Sequence, residues 1–312
     1  MSQSRRSLLI LGASLAATLT LAACGGGGTA AGSGQGGAVQ DGAVPVVAST
    51  NVYGDIAKEI GGEHVSVHSI ISKAGADPHG YEANAQDKLA VSKAVIGIEN
   101  GGGYDDFFSQ LSKGLLTDAE IVNVSSLSGL DTGADFNEHV WYSLPTMAKL
   151  ADELAARFSA ELPAEKASFT AQAESFKAKL DVLDTRLAAL HKTPRTVAMT
   201  EPAPAYLLEQ AGFSNTTPEE FTQAVENGSD APASVVTALK EQLASGTVDL
   251  LAYNQQTESP QTEEVKAAAE AAGVPVADFS ETLPPGSSYL DWMGANISSL
   301  EKAAALVKAG SR

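Results

Sequence analysis

The stretch 163–190, PAEKASFTAQAESFKAKLDVLDTRLAAL, decides how the rest of the chain must be arranged. Phe169, Ala173, Phe176, Leu180, Leu183, Leu187 and Leu190 recur at spacings that alternate between four and three, which puts them on one stripe of an α-helix. At about 1.5 Å per residue that helix is roughly 40 Å long, the length of a whole domain. Glu165, Lys166, Gln172, Lys177, Lys179, Asp181 and Arg186 occupy its other faces. The pattern predicts a spine lying along two lobes and ending at Pro194. A coiled-coil partner helix is the competing reading, and a stripe that ends within about four heptads speaks against it.

On both sides of this helix short apolar runs alternate with helical patterns. Pro45–Ser49, Val65–Ile71, Ala94–Ile98 and Ile121–Val124 read as strands before it, and Thr196–Thr200, Val248–Tyr253 and Gly273–Phe279 after it. Helical segments fall at 51–60, stopping at Gly61-Gly62, and around 205–210, 233–243, 263–272 and 297–308. The fold class that follows is α/β: two lobes, each a mostly parallel sheet flanked by helices, joined by one long rigid helix. The expected boundaries are a first lobe over 44–160, the linking helix over 161–193 and a second lobe over 194–312.

The chain has 312 residues, 44% of them hydrophobic, enough for two cores. Lys plus Arg number 20 against 38 Asp plus Glu, a net charge of −18, so nucleic acid is not an expected partner. Arg5 and Arg6 precede an apolar run from Ser7 to Leu21, followed by Leu21-Ala22-Ala23-Cys24 with the one cysteine of the sequence. This resembles a bacterial lipoprotein signal over 1–23, implying export and a lipid on Cys24. Arg5-Arg6 fits either the general or the twin-arginine export route. Residues 24–43, rich in Gly, Ala, Ser and Gln, read as a flexible tether.

Candidate chemistry concentrates at four positions. His79 lies in Asp77-Pro78-His79-Gly80-Tyr81-Glu82, a connection after an apolar run, and His139 lies in a turn between Asn137 and Trp141. Glu201 directly follows the run Val197-Ala198-Met199-Thr200, and Glu281 follows Phe279 closely. All four fall at predicted strand ends or in the connections after them, where open α/β sheets collect ligands. Each alone has an ordinary reading: a surface histidine, a carboxylate at a helix N-terminus, a solvated loop acid. Their coincidence, two in each half, points to one divalent metal ion between the lobes, with imidazole suiting zinc and carboxylate suiting manganese as well. His64 and His68 are expected to share the polar face of one strand, too far apart for a common ion. His191 is expected to end the long helix, where it complements the dipole.

Three stretches taken together, 46–56 (VVASTNVYGDI), 76–82 (ADPHGYE) and 137–142 (NEHVWY), resemble the zinc/manganese family (cluster A-I) of ABC-transporter solute-binding proteins. The likeness runs from Val44 to the C-terminus. It implies two lobes holding one metal ion, Mn or Zn, with His79 and His139 from the first lobe and Glu201 in the third ligand position. The fourth, usually Asp in the family, corresponds here to Glu281, with Asp278 as the substitute. A Glu in the third position and a short connection, Gly129 to Asp135, without histidine lean towards manganese, while the Irving–Williams order favours zinc. The resemblance further implies no enzymatic activity, an ABC permease with its ATPase as partner, a monomer, and a place on the outer face of the cytoplasmic membrane through lipid on Cys24. An exported zinc-dependent hydrolase and a metal-containing surface adhesin are the alternatives. No His-Glu-x-x-His helix or Gly-x-Ser-x-Gly elbow supports the first of these. The segment Thr216 to Pro232 is expected to be the mobile element.

Overall fold

The computed structural model describes residues 42–73, 80–133 and 136–310. The signal segment, Cys24, His79 and all of the tether but Gly42 and Ala43 lie outside the described residues. The first half runs β1 (Val44–Thr50), α1 (Asn51–Gly61), β2 (Val65–Ile71), α2 (Ala85–Val91), β3 (Ile96–Glu99), α3 (Asp106–Ser112), β4 (Ile121–Asn123), α4 (Val124–Ser128) and α5 (Leu144–Glu161). The long helix α6 (Lys166–His191) follows. The second half runs β5 (Arg195–Met199), α7 (Ala205–Gln210), β6 (Phe213–Asn215), α8 (Glu219–Glu226), α9 (Ala233–Ala244), β7 (Leu250–Asn254), α10 (Pro260–Ala271), β8 (Val276–Phe279) and α11 (Tyr289–Gly310).

The two halves build parallel four-stranded sheets of one topology, β2-β1-β3-β4 and β6-β5-β7-β8. In each sheet the chain goes from its first strand to one side and then crosses to the other, so a switch point opens at the carboxyl ends of β1 and β3, and again at those of β5 and β7. Alternation along the strands divides the apolar residues between two layers. Val46 and Ala48 of β1, with Val197 and Met199 of β5, face a core common to both halves, while Val47 and Ala198 face the outer helices.

The stripe of α6 completes the common core. Phe169, Ala173, Phe176, Leu180, Leu183 and Leu187 are all buried, Phe169 against Phe158 of α5 and Phe176 against Tyr289 of α11. Polar ties at the rim continue the same division: Lys179 pairs with Glu59 of α1, and Arg186 grips Glu301 of α11 through two nitrogens. One helix therefore packs against helices of both halves, α1 and α5 of the first and α7 and α11 of the second, as the spacing of its apolar residues predicts. Two expectations need correction. His64 is not on the strand with His68: α1 ends at Gly62 with φ +55°, and the chain makes a 3-10 turn over Gly62–His64 before β2 begins. There His64 sets its ring edge-on to Phe169 and its Nε2 3.5 Å from Glu165. The last helix begins at Tyr289, well before Ile297. Among the described residues no helix is long and apolar enough to cross a membrane.

Candidate metal centre

Both switch points present polar residues to the space between the sheets. From the second sheet, β5 gives way to Thr200 and Glu201, β7 ends at Asn254, and β8 is followed by Glu281. From the first, β3 leads into Asn100 and Tyr104, and the turn after Asn137 supplies His139 at the entry to a 3-10 turn, Val140–Tyr142. His139, Glu201 and Glu281 each offer a ligand atom, and these three atoms lie within 4.8 Å of one another. All three residues are at most 1% exposed. An ion held at about 2.1 Å by each group spaces its ligand atoms about 3.4 Å apart in a tetrahedron, so movements of side chains suffice to close this set. Asp278 stands apart: it is exposed on β8 and faces Lys266 at 3.4 Å.

His139 is aimed by its near neighbour Asn137, and the two carboxylates by residues from distant parts of the chain. Asn137 Oδ1 accepts from the backbone N–H of His139 and lies 2.6 Å from its Nδ1, while Asn137 Nδ2 donates to the carbonyl of Pro202. An amide oxygen can only accept, so His139 carries its proton on Nδ1 and presents Nε2 as the basic nitrogen. The same asparagine thereby ties the His139 turn to the residue after Glu201, and Tyr206 adds a hydrogen bond to its carbonyl. Asn254 Nδ2 donates to both carboxylates, to Oε2 of Glu201 and to Oε1 of Glu281. Thr257 donates to Glu201 Oε2, and Tyr104 donates to Glu281 Oε2 at 3.0 Å. Gln256 Oε1 accepts from the backbone N–H groups of Glu281 and Thr282. Among the described residues Glu201 Oε1 is buried with no hydrogen-bond partner. A carboxylate oxygen left so costs free energy unless something fills the place.

The electrostatics agree. Burial, and then the charge of Glu281, hold the Glu201 carboxyl well above the usual carboxylate range. Two buried acids facing one histidine repel each other, and a divalent cation relieves that repulsion while satisfying the open oxygen. The acidic surroundings extend outward. Glu226, at the end of α8, meets Glu138 and His139 with ligand atoms again within 4.8 Å, and burial with the charges of Glu138 and Glu281 pushes its carboxyl up to about 7. Beside it a cavity of about 270 Å³ is lined by Glu226, Asp230, Gln256, Thr257 and Glu258.

Over residues 46–303 the chain matches the family of the periplasmic zinc-uptake complex component A, ZnuA. The protein belongs to that family. Within it, the chain is 29% identical over 214 residues to the manganese-binding lipoprotein MntA of Bacillus subtilis, covering 65% of this chain and 67% of that one. It is 30% identical over 178 residues to the manganese ABC transporter substrate-binding lipoprotein PsaA of Streptococcus mitis, covering 53% and 55%. The second alignment thus spans little more than half of the relative's length. The fold is that of the periplasmic zinc-binding protein TroA of Treponema pallidum, with a TM-score of 0.71 at 21% identity over 85% of this chain and 99% of that one. The solute-binding protein FpvC of Pseudomonas aeruginosa, solved with Mn²⁺, superposes with a TM-score of 0.70 at 20% identity over 86% of this chain and all of the other. The matched family is named for a component of a zinc-uptake complex, in line with the resemblance seen in the motifs and not with the hydrolase or adhesin alternatives.

The residues that aim these three side chains carry no signal of it in the sequence. Asn137, Asn254, Gln256 and Tyr104 act across separations of up to 177 residues, and an asparagine or glutamine carries no local signature of that role. Nor is Glu226 among the residues the sequence singles out. Its helix α8 lies inside the segment 216–232 and buries Phe221, Thr222 and Val225, a short amphipathic pattern that a window search could have found.

Proposed function

We propose that this protein is the metal-capturing component of an ABC importer, and that it holds one divalent transition-metal ion, manganese or zinc, between its two sheets. His79, His139, Glu201 and Glu281 are the ligands. The first lobe is residues 44–160, the linking helix 161–193 and the second lobe 194–312. The observation that carries this reading is the buried meeting of His139, Glu201 and Glu281 at the carboxyl ends of both sheets, with Glu201 Oε1 left without a partner among the described residues. The relatives support it, since MntA and PsaA are named for manganese and TroA for zinc. The acidic cavity beside Glu226 supplies an approach that concentrates cations.

The chain reaches its place by export and is held on the outer face of the cytoplasmic membrane by lipid on Cys24, with 24–43 as the tether. As a monomer it docks on a permease whose ATPase drives import. Because α6 joins helices of both halves in one core, loading moves side chains and loops more than whole lobes. Competitive titration of metal-stripped protein with zinc and manganese tests the reading. One ion per chain is expected, with binding lost in both His139→Ala and Glu281→Ala. Stoichiometric binding that survives both substitutions contradicts the ligand assignment.

A further inference from the structure

We infer that Asn51 is a positioning residue for the metal centre: from the first half of the chain it clips the loop that carries Glu281. The inference rests on the reading of Glu281 as a ligand. Asn51 is the first residue of α1, one position past the cap residue Thr50, so its side chain is not needed to close its own helix. Here both of its polar atoms go to a residue of the other half. Its Nδ2 donates to the carbonyl of Leu283 at 3.2 Å, and its Oδ1 accepts from the N–H of Leu283 at 3.0 Å. One side chain thus satisfies both backbone groups of a residue two positions beyond Glu281, across 232 positions of sequence.

The post to which the loop is clipped is rigid. Val52, Tyr53, Ile56, Ala57 and Ile60 of α1 are completely buried, and Gly54 lets the helix lie so close to β2 that a Cβ there would collide with Ser69. On the second half the loop is held by Gln256 through the N–H groups of Glu281 and Thr282. The carboxylate of Glu281 is therefore fixed relative to both sheets before any ion arrives, and Asn51 sets its distance from the ligands of the first half. A second tie crosses the same seam farther along: Asp55 accepts from the N–H of Tyr289 at 2.7 Å. It grips the start of α11 and not the ligand loop, which makes it the internal control.

The test is the zinc dissociation constant of metal-stripped protein, measured against a chromophoric chelator, for the wild type, Asn51→Ala, Asp55→Ala and Glu281→Ala. Loss of outer partners of metal ligands weakens binding roughly 10–100-fold, and about tenfold is expected for Asn51→Ala. Asp55→Ala is expected to lower the melting temperature of the metal-free protein while its dissociation constant stays within about twofold of wild type. Asn51→Asp keeps the acceptor for the Leu283 N–H but sets a carboxylate oxygen against the Leu283 carbonyl, so it weakens binding at least as much as Asn51→Ala, and it serves if the alanine protein does not fold. An unchanged constant in Asn51→Ala, or an equal loss in Asp55→Ala, overturns the proposal, since the seam would then act only through general stability. If Glu281→Ala binds as wild type does, the ligand assignment itself has failed. If Glu281→Ala loses binding and Asn51→Ala does not, only the role given to Asn51 has failed.

Discussion

Freed of metal, a Glu201→Gln protein melts at a higher temperature than the wild type, and it binds zinc or manganese at least roughly a hundredfold more weakly. On the proposed assignment of Glu201 as a ligand the two effects have opposite signs, since its buried charge helps to hold an ion and is a cost without one. Glu201 is buried beside Glu281, and its carboxyl is held well above the usual range. A glutamine keeps the volume and an oxygen able to accept from Asn254 and Thr257, and it removes the buried charge. The dependence on pH has a definite direction. The folded protein holds the Glu201 proton more tightly than the unfolded chain does, whose glutamates titrate near about 4.3. This group therefore contributes stability that is complete below that value and is lost as pH rises through the folded pKa. Glu226, pushed up to about 7, and Asp105, buried and pushed up to about 6, act with the same sign. The melting temperature of metal-free wild type should fall between about pH 5 and pH 8, and less steeply in Glu201→Gln. Thermal melts across that range decide it. A lower melting temperature for Glu201→Gln at pH 8, or an identical slope, contradicts the account.

The second large effect lies in the spine. Phe176 is 1% exposed in the middle of the α6 stripe and lies against Tyr289 of α11, the rings tilted by 37° with 6.0 Å between their centres. Removing a buried phenyl ring costs about 3–5 kcal/mol in lost transfer energy and residual cavity. For a protein of this size that lowers the melting temperature by roughly 10 °C. Both sheets contribute to the core that Phe176 enters, so the transition should stay single and shift as a whole. Val182 on the same helix is 62% exposed, and Val182→Ala should change stability by no more than about 0.5 kcal/mol. Calorimetry of the two variants checks this. Separate transitions for the halves in Phe176→Ala would show that the helix joins two independent cores.

How much of this was legible in the sequence depends on the range of the interactions involved. The α6 stripe could be read because every second turn of a helix repeats its contacts, and the central strands because burial on both faces makes them continuous apolar runs. Strand β6 could not: it has three residues, of which Ser214 and Asn215 are exposed at the sheet edge, so no period shows. The alternation of His64 with Val65 looks like a strand, although β2 begins only at Val65. The helix stop at Gly62 reaches farther than a two-residue signal suggests and takes His64 into a turn. At the candidate site, position at strand ends singled out His139, Glu201 and Glu281. The groups that hold them were invisible because Asn254, Tyr104 and Asn51 act on partners that only the crossing of the two sheets brings near.

The central claim is that groups from both halves of the chain converge on one ion. X-ray diffraction from metal-loaded crystals, recorded at the absorption edge of zinc or manganese, tests it most directly. A single anomalous peak is expected, about 2.0–2.2 Å from a nitrogen of His139 and from carboxylate oxygens of Glu201 and Glu281. A fully occupied peak elsewhere, with these three side chains still hydrogen-bonded among themselves and touching no metal, would contradict it.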